Sequence, residues 1–108
     1  MVLKKVLFIG PISLFFACQN QASAPVKATQ NPTEQAANLY AMHCAQCHGD
    51  DGKLGASGAK DLSLTSLSDN EIHARIVKGK NAMPPMGALL ENEANIQLVM
   101  SHLKTLKH

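Results

Sequence analysis

Five consecutive residues, Cys44-Ala45-Gln46-Cys47-His48, restrict most strongly what this 108-residue chain can become. Two thiols stand three positions apart, so both lie along one turn of chain, and an imidazole follows directly. This pattern is the signature of covalent haem attachment, in which each thiol adds to a vinyl group of one porphyrin and the histidine ligates the iron. The run predicts Cys44 and Cys47 as attachment residues and His48 as the proximal ligand of one haem c.

Three other readings of the same run compete with haem attachment. An exported protein could oxidise the two cysteines to a disulfide. A thioredoxin-like redox pair needs a βαβ context, and no segment of the chain alternates like a strand. Zinc needs four ligands in a tetrahedron, whereas the chain has no second cysteine pair to complete such a site. Haem attachment is the interpretation that the rest of the sequence favours.

The N-terminus has the form of an export signal. Lys4 and Lys5 precede an apolar run from Val6 to Ala17, which is broken only by Gly10, Pro11 and Ser13. That length suits the apolar region of a secretory signal and falls short of the ~20 apolar residues that span a bilayer. We therefore expect residues 1–17 to be a signal peptide and the mature protein to lie outside the cytoplasm.

The end of the signal can be read in two ways. Phe15-Phe16-Ala17-Cys18 resembles a lipoprotein processing site with Phe where Leu is usual, and ordinary cleavage after Ala22-Ser23-Ala24 is the rival. Cys18 is the cysteine left over when two are used by haem, and acylation would remove a reactive thiol. The lipoprotein reading is favoured. It predicts a tether through lipidated Cys18, a flexible segment over residues 18–30, and a location in the periplasm or on the outer face of a bacterial membrane.

Charge and aromatic content also change once the signal is set aside. The chain has ten Lys and Arg against eight Asp and Glu, but two of the basic residues are Lys4 and Lys5. The remainder is formally neutral, which gives no support for a nucleic-acid partner. Tyr40 is the one Tyr, Trp or Phe residue after the signal. So small a domain needs more apolar volume than these side chains supply, and a porphyrin would supply it.

Helix signals divide residues 31–108 into three main helices and loops. Asn31-Pro32-Thr33-Glu34 is typical of a helix start, and good helix formers continue to about His43. Ser68-x-x-Glu71 predicts a capping box for a second helix that stops at Gly79, and an apolar stripe predicts a third from about Asn92 to Leu106. The glycine-rich stretch 49–67 and the proline-bearing stretch 80–87 read as loops. The fold class expected is all-α.

Beyond these patterns, the chain resembles the small class I cytochromes c of bacteria over about Pro32 to Leu106. The likeness rests on Tyr40 four residues before the first cysteine, on His48-Gly49-Asp50-Asp51-Gly52-Lys53, and on Gly79-Lys80-Asn81-Ala82-Met83-Pro84. The resemblance implies the cytochrome c fold around one covalently attached haem over residues 31–108. It also implies that Met83, the methionine of the Met-Pro pair, is the sixth ligand of the iron.

The residues themselves lend Met83 partial support. Pro84 and Pro85 stiffen its loop, so a thioether there can be held at a fixed place with little loss of entropy. Met86 is a rival ligand three positions on, and either methionine could simply fill a gap in the core. A bis-histidine haem that uses His43 is the least favoured choice. The sequence departs from the family pattern in two places: His102 stands near the position of an expected aromatic, and the proline expected shortly before Leu62 is absent. The acceptor for the second ring nitrogen of His48 is therefore not evident.

The function implied by the resemblance is single-electron transfer between redox partner proteins, not enzyme catalysis. With both axial positions filled by protein, small molecules are kept from the iron. The alternatives are a haem-based ligand sensor, a peroxidase-like enzyme, and a cytochrome subunit of a larger oxidase or reductase complex. Lys53, Lys78 and Lys80 either steer docking onto an acidic partner or are ordinary solvated lysines. His102 is expected to pack on Tyr40 or on Ala36 and Ala37, or to be exposed.

Overall fold

The structure is a computed structural model that describes Gly10 and residues 30–107. Apart from Gly10, the expected signal peptide (1–17) lies outside the described residues, as do Cys18 and nearly all of the expected tether (18–30). Within them the chain forms five α-helices: α1 (Pro32–His43), α2 (Ala45–His48), α3 (Asp69–Lys78), α4 (Gly87–Leu90) and α5 (Glu93–Leu106). Short 3₁₀ turns occur at Ala56–Gly58 and Leu62–Leu64. Residues 30–107 contain no strand, which confirms the all-α expectation.

The three long helices begin at the residues whose side chains cap them. Asn31 accepts a hydrogen bond from the Glu34 amide at 2.8 Å, and Pro32 takes the first helical position of α1. Ser68 and Glu71 form the complete reciprocal capping box of α3. Asn92 accepts from the Asn95 amide at the start of α5. Each cap satisfies amides that have no partner inside the helix, which explains why the helix starts were predictable.

The core lies where α1, α3 and α5 meet, and α1 packs most extensively against α5. Its buried apolar members are Tyr40, Ile72, Ile76, Leu90, Ile96, Val99, Met100 and Leu103. Burial of such side chains is the main source of stability in a domain of this size. No helix among the described residues has the length and hydropathy needed to cross a bilayer.

Two short helices were not expected. The chain turns at Cys44 and continues as α2, so the second cysteine and His48 are helical. Met86 leads into α4, which buries Leu90 almost completely. Both helices have four residues and lack a side-chain cap, so neither leaves a clear pattern of period 3.6 in the sequence. The first places His48, and the second closes the loop that carries Met83.

Candidate functional site

The two predicted attachment cysteines lie on one turn of chain, as free thiols. Cys44 ends α1 and packs against the core, whereas Cys47 in α2 is exposed. The Cys47 amide donates to the Cys44 carbonyl oxygen at 3.2 Å, so the two residues are neighbours in a tight turn. Burial raises the pKa of the Cys44 thiol to about 11. The two thiols are not joined to each other in this structure.

His48 is held from both its backbone and its ring. Its amide donates to the Cys44 carbonyl at 3.0 Å, and its own carbonyl accepts from the Leu54 amide at 2.9 Å. The ring Nδ1 lies 3.0 Å from the carbonyl oxygen of Lys60. A carbonyl oxygen can only accept, so Nδ1 carries the proton and Nε2 keeps a lone pair for a metal.

The Lys60 carbonyl is the functional group that sequence reasoning could not identify. An acceptor for the second ring nitrogen orients a ligating histidine and makes it a better donor to the metal. Because the acceptor belongs to the backbone, the residue type at position 60 gives no signal. Its carbonyl oxygen can take this role without the absent proline because the loop after Gly52 is closed by the Leu62 amide, which donates to the Gly52 carbonyl at 2.9 Å.

Gly49, directly after His48, turns the chain with φ 80° and ψ 161°. This backbone conformation is essentially restricted to glycine. Its carbonyl oxygen accepts a hydrogen bond of 2.6 Å from the hydroxyl of Tyr40 in α1. The ring of Tyr40 packs on the ring of His102 in α5, with centroids 4.6 Å apart and planes 38° from parallel. Of the three placements expected for His102, the structure selects the one on Tyr40.

Met83 lies in a tight hairpin between α3 and α4. The Lys80 amide donates to the Met83 carbonyl and the Met83 amide donates to the Lys80 carbonyl, both at 3.0 Å. Asn81 occupies the turn with φ 55°, a left-handed value that Asn tolerates better than most residues. The side chain of Met83 is partly exposed and lies outside the core cluster.

Met86, the rival methionine, is placed differently. It packs against the buried core, and its amide donates to the Ile76 carbonyl of α3 at 2.8 Å. This is the contact expected of a methionine that fills a gap between helices. The structure thus separates the two candidates into a packed methionine and one that core packing does not engage.

The residues present fit a covalently bound haem. Two free thiols on one turn can take the two vinyl additions, and His48 has an oriented ring with a free Nε2. Large apolar side chains are also exposed in the segments after His48 and before α5: Leu54 is 59% exposed, Leu64 78% and Leu89 57%. Such surface suits contact with a porphyrin better than contact with water. Among the described residues, no three His, Cys, Asp or Glu side chains form a group able to hold a metal ion, so nothing favours the zinc reading.

An all-helical domain with this attachment turn defines the class of c-type cytochromes. The family model for "Cytochrome C oxidase, cbb3-type, subunit III" matches residues 31–103, more than half of the chain. The chain belongs to this family. It is a c-type cytochrome with covalently bound haem c and iron, and its role is electron transfer. No curated protein matches the chain.

Proposed function

We propose that the chain is a one-electron carrier whose single haem is attached at Cys44 and Cys47 and ligated by His48 and Met83. The observation that carries the proposal is the hydrogen bond from His48 Nδ1 to the Lys60 carbonyl, one turn from two free thiols. It leaves Nε2 as the ligating atom and fixes the ring in one tautomer. Bound haem c supplies a ferric–ferrous couple, which His/Met ligation moves to higher potential.

The assignment of Met83 as second ligand is supported by what surrounds the two methionines. The core does not use the thioether of Met83, whereas Met86 is packed between helices. The hairpin bonds at Lys80 and the two following prolines give Met83 few backbone conformations. The protein's part is then to keep two side chains in fixed positions and to deny small molecules a place between them.

The proposal is tested by the visible spectrum of the purified holoprotein, oxidised and reduced, with and without carbon monoxide. We expect a low-spin spectrum with the far-red band of sulfur bound to ferric iron, and no change with carbon monoxide. A high-spin spectrum, or ready carbon monoxide binding, means an open iron. That result would replace the carrier with a ligand sensor or an enzyme.

We further propose that the protein works outside the cytoplasm, held at a membrane by lipid on Cys18. Support comes from the signal-like residues 1–17 and from the cysteine count, and both features lie outside the described residues. In a bacterial host that exports and acylates proteins, wild type is expected in the membrane fraction and the Cys18→Ala variant in the soluble fraction. If both variants are recovered as soluble holoprotein, the lipid tether is wrong and cleavage after Ala24 is preferred.

A second candidate role is that of a cytochrome subunit in a larger oxidase. The observation that favours it is the family match, since the family is that of subunit III of cbb3-type cytochrome c oxidase. Mild detergent extraction from the native host, followed by gel filtration with detection of covalent haem, separates the two roles. Elution near the mass of the free chain supports a mobile or singly tethered carrier, whereas stable elution with an oxidase supports the subunit.

Positive charge near the Met83 hairpin supports docking onto an acidic partner. Lys78 and Lys80 flank Gly79 and, with Arg75, border one surface groove at the end of α3, although Glu71 also lines it. Lys53 lies on a separate loop and is exposed. If these lysines steer a partner, the rate of electron transfer to an acidic acceptor falls as ionic strength rises, and it falls less steeply in a Lys78→Gln/Lys80→Gln variant.

A further inference from the structure

Tyr40 is a buried residue whose hydroxyl group the proposed electron-transfer role leaves unexplained. It is 1% exposed and is among the most deeply buried large side chains of the domain. Phenylalanine would fill the same apolar space, so packing alone does not require a phenol at this position. The hydroxyl has one short contact, the 2.6 Å hydrogen bond that it donates to the Gly49 carbonyl.

The surroundings of Tyr40 keep the hydroxyl protonated and therefore able to donate. Burial raises the pKa of Tyr40 to about 12, with further contributions from the nearby Cys44, Asp50 and Asp51. A neutral phenol donates one proton, and its acceptor is a backbone carbonyl that does not titrate. The contact is consequently independent of pH over the range in which a protein of this kind operates.

The carbonyl that accepts from Tyr40 belongs to Gly49, the residue directly after His48. Gly49 adopts a backbone conformation essentially restricted to glycine, and its amide donates to the Ala45 carbonyl at 2.7 Å. The carbonyl of His48 itself accepts from Leu54. The hydroxyl of Tyr40 adds a side-chain bond from a separate helix to this turn, so the end of α2 cannot rotate independently of α1.

The ring of Tyr40 is in turn fixed by the last helix. His102 in α5 packs on it at a centroid distance of 4.6 Å, and α1 and α5 form the largest helix contact of the domain. The hydroxyl is thus aimed by the packing of the two terminal helices. A continuous series of contacts runs from His102 through Tyr40 and Gly49 to His48.

We propose that Tyr40 is a positioning residue for the haem ligand His48, acting through its hydrogen bond to the Gly49 carbonyl. Together with the Lys60 carbonyl, which accepts from Nδ1 of the ring, it sets the plane of the imidazole. Tyr40 donates its hydrogen bond to Gly49 and not to His48, so it acts on the ligand through the chain. The proposal rests on the proposed role of His48 as iron ligand.

The test compares wild type, Tyr40→Phe and Ser68→Ala as ferric holoproteins by proton NMR of the four haem-methyl groups. The pattern of these shifts follows the orientation of the axial ligand planes. Ser68→Ala removes the cap of α3, a contact unrelated to His48, and controls for general loss of stability. We expect Tyr40→Phe to change the spread of the four shifts and Ser68→Ala to leave it as in wild type.

The outcomes distinguish this inference from the proposed function. If wild type lacks the signature of histidine ligation, the proposed function fails and the inference is overturned with it. If wild type shows that signature and Tyr40→Phe reproduces its haem-methyl pattern, only the positioning role is overturned. If Tyr40→Phe does not accumulate with haem, the hydrogen bond is tested instead on the Tyr40 hydroxyl proton of the wild-type protein. A Tyr40 hydroxyl proton in slow exchange with solvent, coupled to the Gly49 carbonyl carbon, supports the bond, and a rapidly exchanging one overturns it.

Discussion

The segments that carry His48 and Met83 are held in different ways. The His48 segment is bonded to two other elements: α1 through the Tyr40 hydroxyl, and the following loop through Leu54 and Lys60. The Met83 hairpin is bonded mainly to itself, through its two bonds with Lys80. A segment bonded to several other elements opens only when those contacts also break, whereas a hairpin bonded to itself can open with only its own loop.

The difference indicates which of the two proposed ligands is held more firmly. Releasing His48 requires contacts with α1 and with the following loop to break, while the hairpin can move if its junctions with α3 and α4 open. Those junctions are Gly79 and the Met86 amide bond to Ile76. We expect any loss of axial ligation under mild denaturant to begin at Met83, with His48 still bound.

The largest effect is expected from Met83→Ala, with Met86→Ala as its matched control. Removal of the proposed ligand should abolish the far-red sulfur-to-iron band and allow carbon monoxide to bind the ferrous protein. Met86→Ala should keep both ligands and lower stability through lost packing. Visible spectra of the two variants measure this directly. The reverse pattern would assign the ligand to Met86 and remove the contrast between the two methionines.

The second largest effect is expected from Gly79→Ala, because Gly79 joins α3 to the Met83 hairpin. Gly79 has φ 69° and ψ 176°, and a Cβ there would clash with the Met83 carbonyl oxygen and lie 2.7 Å from the carbonyl carbon of Pro84. Backbone strain alone costs about 1–3 kcal/mol, and the clash adds to it. We expect the free energy of unfolding to fall by about 3 kcal/mol or more.

Gly58→Ala provides the control for Gly79→Ala. Gly58 also has a positive φ of 77°, but nothing lies within 4 Å of a Cβ built on it. It should therefore show only the cost of a left-handed alanine, about 1 kcal/mol, with the far-red band intact. The free energy of unfolding of both variants is measured by denaturant unfolding. Equal losses would mean that the close approach of Gly79 to the hairpin adds nothing to the cost of the alanine.

The features that could be predicted from the sequence are those that depend on the types of side chain. Caps at Asn31 and Ser68 and the apolar stripe of α5 marked the long helices, and the family match supports the c-type haem indicated by Cys44 to His48. Those features depend on residue type and on short spacings, which are legible in a single sequence.

The rest depends on contacts made only after folding. The Lys60 carbonyl that accepts from His48 is a backbone atom, and any residue there would provide one. The bond from Tyr40 to Gly49 needs the turn at Gly49, whose geometry follows from tertiary packing. The α4 helix is too short for periodicity to reveal it. The roles of Cys44, Cys47, His48 and Met83 toward the haem remain predictions that the experiments above address.

Ser68→Ala tests whether α3 can lose stability without a change in the position of Met83, the proposed ligand in the hairpin that follows α3. Ser68 accepts from the Glu71 amide, and its own amide and hydroxyl donate to the Glu71 carboxylate. Loss of such a cap costs about 1 kcal/mol. Ser66→Ala, an exposed serine outside the helix, should cost nearly nothing. A shift of the far-red band in Ser68→Ala would show that the hairpin depends on the whole of α3, and would weaken the view that it is held mainly by local bonds.

The smallest effect is expected on the acid dependence of stability, through Asp61, which follows Lys60 in the loop bonded to His48. Asp61 Oδ1 accepts from the Ser63 hydroxyl at 2.6 Å and from its amide at 2.9 Å, and chiefly the hydroxyl bond lowers the pKa of the carboxyl below its usual 3.8. A lowered folded-state pKa means that the contribution to stability is complete above the usual value and disappears as the pH falls through the lowered one.

Asp61→Asn keeps an acceptor oxygen but cannot titrate, so its free energy of unfolding should fall less between about pH 5 and pH 2 than that of wild type. Asp50→Asn, on an exposed residue nearer His48, is the control. If the two variants show the same acid dependence, the Asp61 carboxylate and its bonds to Ser63 contribute nothing measurable to stability. The His48 segment would then be held by its bonds with Tyr40, Leu54 and Lys60 without help from the turn next to Lys60, and its contrast with the Met83 hairpin would narrow to those bonds.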